Sequence, residues 1–186
     1  MLLYYLEEFA TLAGVGAVIA LPIKLLTKKP WWWGIFLALF IAYCGIVVIE
    51  IVRPFERFGY EGMTTPLAIN LIPFREGIDR DVIENIVCTL PFGFLLPLII
   101  KRFTFIKALI SGLAFGLGME LLQVAFYFIH GKNSFRVVDI NDVICNTIGA
   151  VAGWTVFALV LLLVLWLIKK GVDNSLFRYI AERDKR

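Results

Sequence analysis

The residues of this 186-residue chain that could do chemistry fall into three clusters among apolar neighbours. Glu120, Gln123 and Tyr127 recur at spacings of three and four, which places them on one face of a helix. Glu120 stands about nine residues from the end of an apolar stretch, or roughly 13 Å deep at 1.5 Å per residue. An ionised side chain there costs at least about 2.5 kcal/mol, so it must be partnered, face a wet cavity or be protonated. Such a carboxyl could act as a general acid or base; equally, it could be a hydrogen-bonded link between helices. Gly112 and Gly116 continue the same stripe at spacing four and permit close helix approach.

Arg136, Asp139, Asp142 and Asn146 form the second cluster, at spacings of three, three and four. One aspartate is expected to cap the helix that follows, since Asp is among the best capping residues. Both together, with an arginine before and an asparagine one turn on, exceed what a cap requires. They could orient a water or hold a divalent ion. Gly149 and Gly153 on the same helix form a GxxxG, read as a close contact with the helix that carries Glu120. That contact would bring Glu120 and Asn146 to similar depths. The third cluster is Asn70, Pro73, Phe74 and Arg75, followed by Glu84 and Asn85. Asn85 reads equally well as a helix cap. Residues 66–74 are apolar enough to lie in a membrane interface or dip into it. Arg75, Arg80 and Arg136, with two helix N-termini beside them, could receive an anionic group.

The elements that position these clusters follow from composition. Sixty per cent of the chain is apolar and 18% charged, well off the balance of a soluble domain. The apolar residues lie in long runs, and a spanning helix needs roughly 20 of them. Five runs qualify: 9–26, 31–52, 84–100, 103–129 and 143–168. The expected fold is therefore all-α, a polytopic membrane helical bundle in one domain, 1–186. Pro91 and Pro97 should kink the third helix rather than break it. The first run follows Glu7 and Glu8 instead of a basic segment, so it does not read as a signal peptide.

Lysine and arginine divide unevenly between the two sides. Twelve of the eighteen fall in the 27–30 and 101–102 turns, at Lys24 and Lys107, and in the tail 169–186; six fall in the loops 53–83 and 130–142. The positive-inside rule then puts the N-terminus outside and the C-terminus inside. All three clusters lie toward the outer side, where the loops are long. The inner side is short and basic, and its mildly amphipathic tail is expected to rest on anionic lipid. Trp31 to Trp33 reads as an interfacial anchor, and His130 as a snorkelling residue at a helix end. Cys44, Cys88 and Cys145 read as buried packing thiols, since an odd count without paired spacing suits neither a disulfide framework nor zinc. No phosphate-cradling glycine loop, metal-ligand pair or nucleophile beside a base is present, so neither a cofactor nor a resident metal is expected, and no nucleic-acid partner.

The ordered set resembles the VanZ-like family of bacterial membrane proteins. The resemblance runs from Asn70-Leu-Ile-Pro73-Phe74 through "NIVCTLPFGFLLP", with Asn85, Pro91, Gly93 and Pro97, and then Glu120-Leu-Leu-Gln123. It continues with Arg136, Asp139 and Asp142 in "RVVDIND", and ends with Asn146, Gly149 and Gly153 in "NTIGAVAG". Two positions depart from the pattern. Thr89 replaces a frequent aromatic, which is expected to affect packing only, and Gly116 replaces a frequent serine, which removes a hydroxyl beside Glu120. The resemblance implies a multi-pass protein of the bacterial cytoplasmic membrane, associated with low-level resistance to teicoplanin, a lipid-tailed glycopeptide.

Three functions compete. A binding protein would use Asn70, Arg75, Asn85, Glu120, Gln123, Arg136, Asp139, Asp142 and Asn146 to engage a membrane lipid or lipid-linked cell-wall precursor. An enzyme acting on such a lipid would use Glu120, Asp139 and Asp142 as catalytic groups. Proton- or ion-coupled transport through Glu120 ranks last, because the inner halves of the spans are almost wholly apolar. Green fluorescent protein fused after Arg186 should fluoresce, and alkaline phosphatase at that position should be inactive. The opposite pair of results would reverse the orientation.

Overall fold

The computed structural model describes residues 2–58, 66–75, 77–78, 80–129 and 137–183. Along the chain come α1 (Leu2–Thr27), α2 (Trp31–Phe58), β1 (Ala68–Asn70) and α3 (Arg80–Ile99). Then follow α4 (Phe105–Ile129), β2 (Val137–Asp139), α5 (Ile140–Lys169) and α6 (Ser175–Ala181). Among the described residues, five helices are long and apolar enough to cross a membrane: Phe9–Thr27, Trp31–Ile51, Arg80–Ile99, Phe105–Ile129 and Ile140–Lys169. These are the five runs read from the sequence, with α3 beginning a turn earlier, at Arg80 rather than 84. Asn85 therefore lies inside α3 and is not its cap. α3 continues as one helix through Pro91 and Pro97.

Small residues decide which helices touch. A Cβ at Gly93 would overlap the Ala150 carbonyl, one at Gly149 the Ile86 carbonyl, and one at Gly153 the Leu90 carbonyl. The α5 GxxxG therefore faces α3, not α4 as its spacing alone suggested. A GxxxG marks a face for close approach without naming the partner. α4 meets a neighbouring face of α5 with its own glycines. A Cβ at Gly112 would lie 2.7 Å from Ala150 Cβ, and one at Gly116 3.3 Å from Asn146 Cβ. Thus α5 is gripped by α3 and α4 together.

α2 joins this trio through an aromatic layer. Phe92 of α3 stacks on Phe115 of α4 at 4.2 Å between ring centroids, and Phe40 and Tyr43 of α2 flank them at 5.8 and 6.3 Å. Such ring pairs contribute about 0.5–1.5 kcal/mol each beyond area burial. The Tyr43 hydroxyl also donates to the Cys88 carbonyl at 2.9 Å. α1 packs against α2, where a Cβ at Gly16 would overlap the Ala38 carbonyl. Of the cysteines only Cys145 is buried; Cys44 is half-buried and Cys88 exposed on the apolar surface of α3.

At the basic end, Trp33 Nε1 donates to the Ile99 carbonyl and Trp154 Nε1 to the Phe103 carbonyl, both at 3.0 Å. Trp32 Nε1 reaches Ser175 Oγ at 3.3 Å. Trp32 and Trp33 therefore tie the bundle together instead of serving only as interfacial anchors. Of these three tryptophans Trp31 alone stands out from the protein, with the Lys24 ammonium 3.5 Å from its ring centre. The tail packs on the protein itself. Asn174 caps α6 by accepting from the Phe177 amide at 2.9 Å, and the helix returns onto the bundle. Tyr179 and Ile180 are buried with Leu98, Phe157 and Val164, and the Tyr179 hydroxyl donates to the Leu98 carbonyl. Burial pushes that phenol up to about 12.

Gly153→Val should destabilise the bundle by roughly 1–3 kcal/mol or prevent its assembly, since the new methyls enter the Leu90 carbonyl. Gly118→Ala meets nothing within 4 Å and should be neutral or slightly stabilising. Unfolding midpoints of both variants in detergent would check the pair; equal midpoints would refute the α3–α5 contact.

Candidate functional site

The α4 stripe is buried as its spacing predicts: Gly112, Gly116, Glu120, Gln123 and Tyr127 all face inward. Gly116 lies level with Asn146. Glu120, one turn further along α4, is level with the start of α5, where its Oε2 accepts the Asp139 amide at 3.1 Å. Glu120 and Asn146 are thus a turn apart in depth, not level. α4 runs nine residues past Glu120, while α5 only begins there.

Asp139 is the N-cap of α5. Its backbone is extended (φ −121°, ψ 128°), and its Oδ1 accepts the Asn141 amide at 2.8 Å. Asp142 occupies the first turn, where the helix dipole favours a carboxylate. The other oxygen of Asp139, Oδ2, accepts from Asn70 Nδ2 at 3.0 Å. This contact depends on an element absent from the sequence reading. β1 and β2 pair in parallel, Ala68 with Val137, Ile69 with Val138 and Asn70 with Asp139. Three-residue strands have little β signal of their own, and parallel pairing joins segments far apart in the chain.

The turn after β1 is fastened to the same helix. Asn70 Oδ1 accepts the Ile72 amide at 3.2 Å, and Asn141 Oδ1 accepts the Phe74 amide at 2.7 Å. Phe74 adopts φ 52°, a left-handed conformation costing roughly 1–3 kcal/mol for a bulky residue. Its bond to Asn141 helps hold it there.

α3 supplies the third wall. Asn85 Nδ2 donates to Asp142 Oδ1 at 2.6 Å. One turn deeper, Thr89 Oγ1 lies 2.9 Å from the Asn85 carbonyl and 2.5 Å from Asn146 Oδ1, its single proton shared between two acceptors. Thr89 is fully buried, so its difference from the family pattern is a polar link and not merely a packing change. Sequence reading also passed over Asn141. Its signal was its position two residues after a capping aspartate; that of Thr89 was its spacing of four from Asn85.

The structure therefore brings together Asn70, Asn85, Glu120, Gln123, Asp139, Asp142 and Asn146. Arg75 is exposed and makes no bond to this network, and Arg80 is paired instead with Glu84, an exposed contact at 2.5 Å. Arg136 and His130 lie outside the described residues. Among the described residues, no three of His, Cys, Asp and Glu converge on a possible metal position. Glu120, Tyr127 and Asp142 make further interactions. Two amide atoms are different. Gln123 Oε1 and Asn146 Nδ2 are buried without a hydrogen-bond partner. Gln123 Nε2 reaches only to Glu120 Oε1, at 3.5 Å. An unsatisfied buried group costs about 1–3 kcal/mol. The two atoms stand on α4 and α5, Asn146 level with Gly116 and Gln123 nearly two turns further along α4.

The sequence profile of the VanZ/LLP1 family matches residues 36–165. That stretch covers every residue of the network and leaves out α1 and α6. Protein VanZ of Enterococcus faecium is 32% identical over 93 residues, about half of each chain: 50% of this one and 53% of that one. No solved structure matches.

Glu120→Leu should destabilise the protein by about 1–3 kcal/mol by leaving the Asp139 amide unpaired, whereas Glu120→Gln, which keeps an acceptor, should cost less. Chemical unfolding of the purified variants measures the difference. Equal losses would show that the Glu120–Asp139 bond does not hold the two elements together.

Proposed function

The chain belongs to the VanZ/LLP1 family, and on that premise we propose that its polar network binds the head group of a membrane lipid or lipid-linked cell-wall precursor in the outer leaflet. It thereby contributes to teicoplanin resistance in the cytoplasmic membrane of a bacterium. Protein membership of the membrane rests on five long apolar helices. One observation carries the binding reading: the Asn146 donor and the Gln123 acceptor are buried without partners among side chains that are otherwise hydrogen-bonded. A network serving only to glue helices has no use for such atoms, since each weakens the fold. A carbonyl or phosphoryl oxygen would satisfy the Asn146 donor, and a hydroxyl or amide the Gln123 acceptor.

The alternative, an enzyme using Glu120 as general acid or base on a lipid-linked substrate, is less well supported. Glu120 is bonded to the Asp139 amide, Asp142 to Asn85, and Asp139 to both Asn70 and Asn141. Carboxylates held in this way position a binding frame. A general base must instead reach a substrate proton.

A susceptible Gram-positive host expressing the chain should show a severalfold rise in the inhibitory concentration of teicoplanin and little change for vancomycin. Glu120→Gln and Asp142→Asn, matched for membrane level, should lose most of that protection. Equal protection by the variants would reduce the network to structural glue.

A further inference from the structure

At the basic end of the bundle, away from the polar network, a cavity of about 100 Å³ lies between α3, α5 and the residue segment after α6. Its walls are Pro97, Phe103, Trp154, Phe157 and Leu161, with Arg183 as the charged member. Arg183 is 5% exposed, and its Nε has no hydrogen-bond partner. The guanidinium carbon sits 4.2 Å from the centre of the Tyr179 ring, whose face takes up part of the positive charge. Among the described residues, no carboxylate forms an ion pair with it.

The backbone fixes this arginine from two sides. Its amide donates to the Ile180 carbonyl at 3.0 Å, and its own carbonyl accepts from the Arg102 amide at 2.9 Å. Arg102 stands in the left-handed region at φ 55°, and its carbonyl accepts from Lys107 Nζ at 2.9 Å. The Lys107 ammonium and the Arg102 backbone thus stand beside the Arg183 backbone. A buried guanidinium without a carboxylate is costly, and an anion in the cavity would offset that cost.

At about 100 Å³ the cavity can admit a phosphate group but not a whole lipid. On α5, Phe157, Ala158 and Leu161 line it, and Leu162 and Leu165, one turn on from Ala158 and Leu161, are exposed apolar side chains. Hydrocarbon therefore lies beside a charged, phosphate-sized cavity. We propose that this cavity binds the phosphodiester head of an anionic membrane lipid, with Arg183 as counter-cation and an acyl chain along the Leu162–Leu165 surface. Arg183 lies outside the family-matched residues 36–165, whereas the cavity's other walls lie within them.

The test uses the purified full chain in nanodiscs of phosphatidylcholine, with or without phosphatidylglycerol. A ligand that binds the folded state raises the unfolding midpoint, so phosphatidylglycerol should raise it by several degrees. Arg183→Gln should lose that increment; Arg178→Gln, at an exposed arginine paired with Asp173, should keep it. Should Arg183→Gln not fold, Ala158→Leu fills the cavity without altering charge, and it too should lose the increment. No increment in the parent chain, or an increment retained by Ala158→Leu or by folded Arg183→Gln, would overturn the proposal. So would inorganic phosphate in phosphatidylcholine nanodiscs reproducing the full effect, which would identify a free anion and not a lipid.

Discussion

The approach of α3 to α5 over bare glycine backbone is the contact on which the rest of the site depends. Gly93, Gly149 and Gly153 bring the two helices close enough that a single methyl at any of them would enter a carbonyl oxygen. At that separation short side chains suffice to bridge the helices. Asn85 reaches Asp142, and Thr89 reaches Asn146, without the long flexible arms that would lose more conformational entropy on ordering. In hydrocarbon there is little hydrophobic gain from bringing helices together, so packing and interhelical hydrogen bonds must supply the association. Here both come from the same faces. The glycines set the distance, and the polar residues one or two turns toward the loops use it.

The two ends of the bundle handle buried polarity differently. At the polar end the carboxylates of Glu120, Asp139 and Asp142 are tied to backbone amides and asparagine side chains drawn from α3, α5 and the β1 turn. Charge is distributed through a frame, and the atoms left without partners are neutral amide groups. At the basic end a single guanidinium is held against an aromatic ring and an apolar cavity. The first arrangement suits discrimination between polar groups by hydrogen-bond geometry. The second suits attraction of an anion of any shape that fits. The aromatic layer of Phe92, Phe115, Phe40 and Tyr43 adds apolar packing among α2, α3 and α4.

The β1–β2 pair shows how loops far apart in sequence become part of one site. Its ladder sets Asn70 beside Asp139, and Asp139 in turn caps α5 and receives support from Glu120. Phe74 is held in a strained conformation by the side chain of Asn141, two residues beyond that cap. Backbone strain of this kind persists where surrounding bonds over-determine it. The most constrained part of the network is thus the join between the 66–75 turn and the start of α5, where the family-matched motifs also meet.

Helix number, the inward stripe of α4 and the chemical character of the network were legible in the sequence, because each is a local matter of apolar length, 3.6-residue periodicity and the cost of polar groups in hydrocarbon. Glu120, Gln123 and Tyr127 share a buried face for that reason, and Asp139 caps α5 for a reason equally local. What only the tertiary structure decided is who meets whom. The GxxxG of α5 could serve any neighbour, and it serves α3. Thr89 and Asn141 look incidental until a partner from another element stands within 3 Å. Three-residue strands carry no readable periodicity, and the returning α6 is too short for a span and too apolar on one face for a free tail. Partner identity depends on pairs distant in sequence, and residue spacing along one helix carries no information about the helix packed against it.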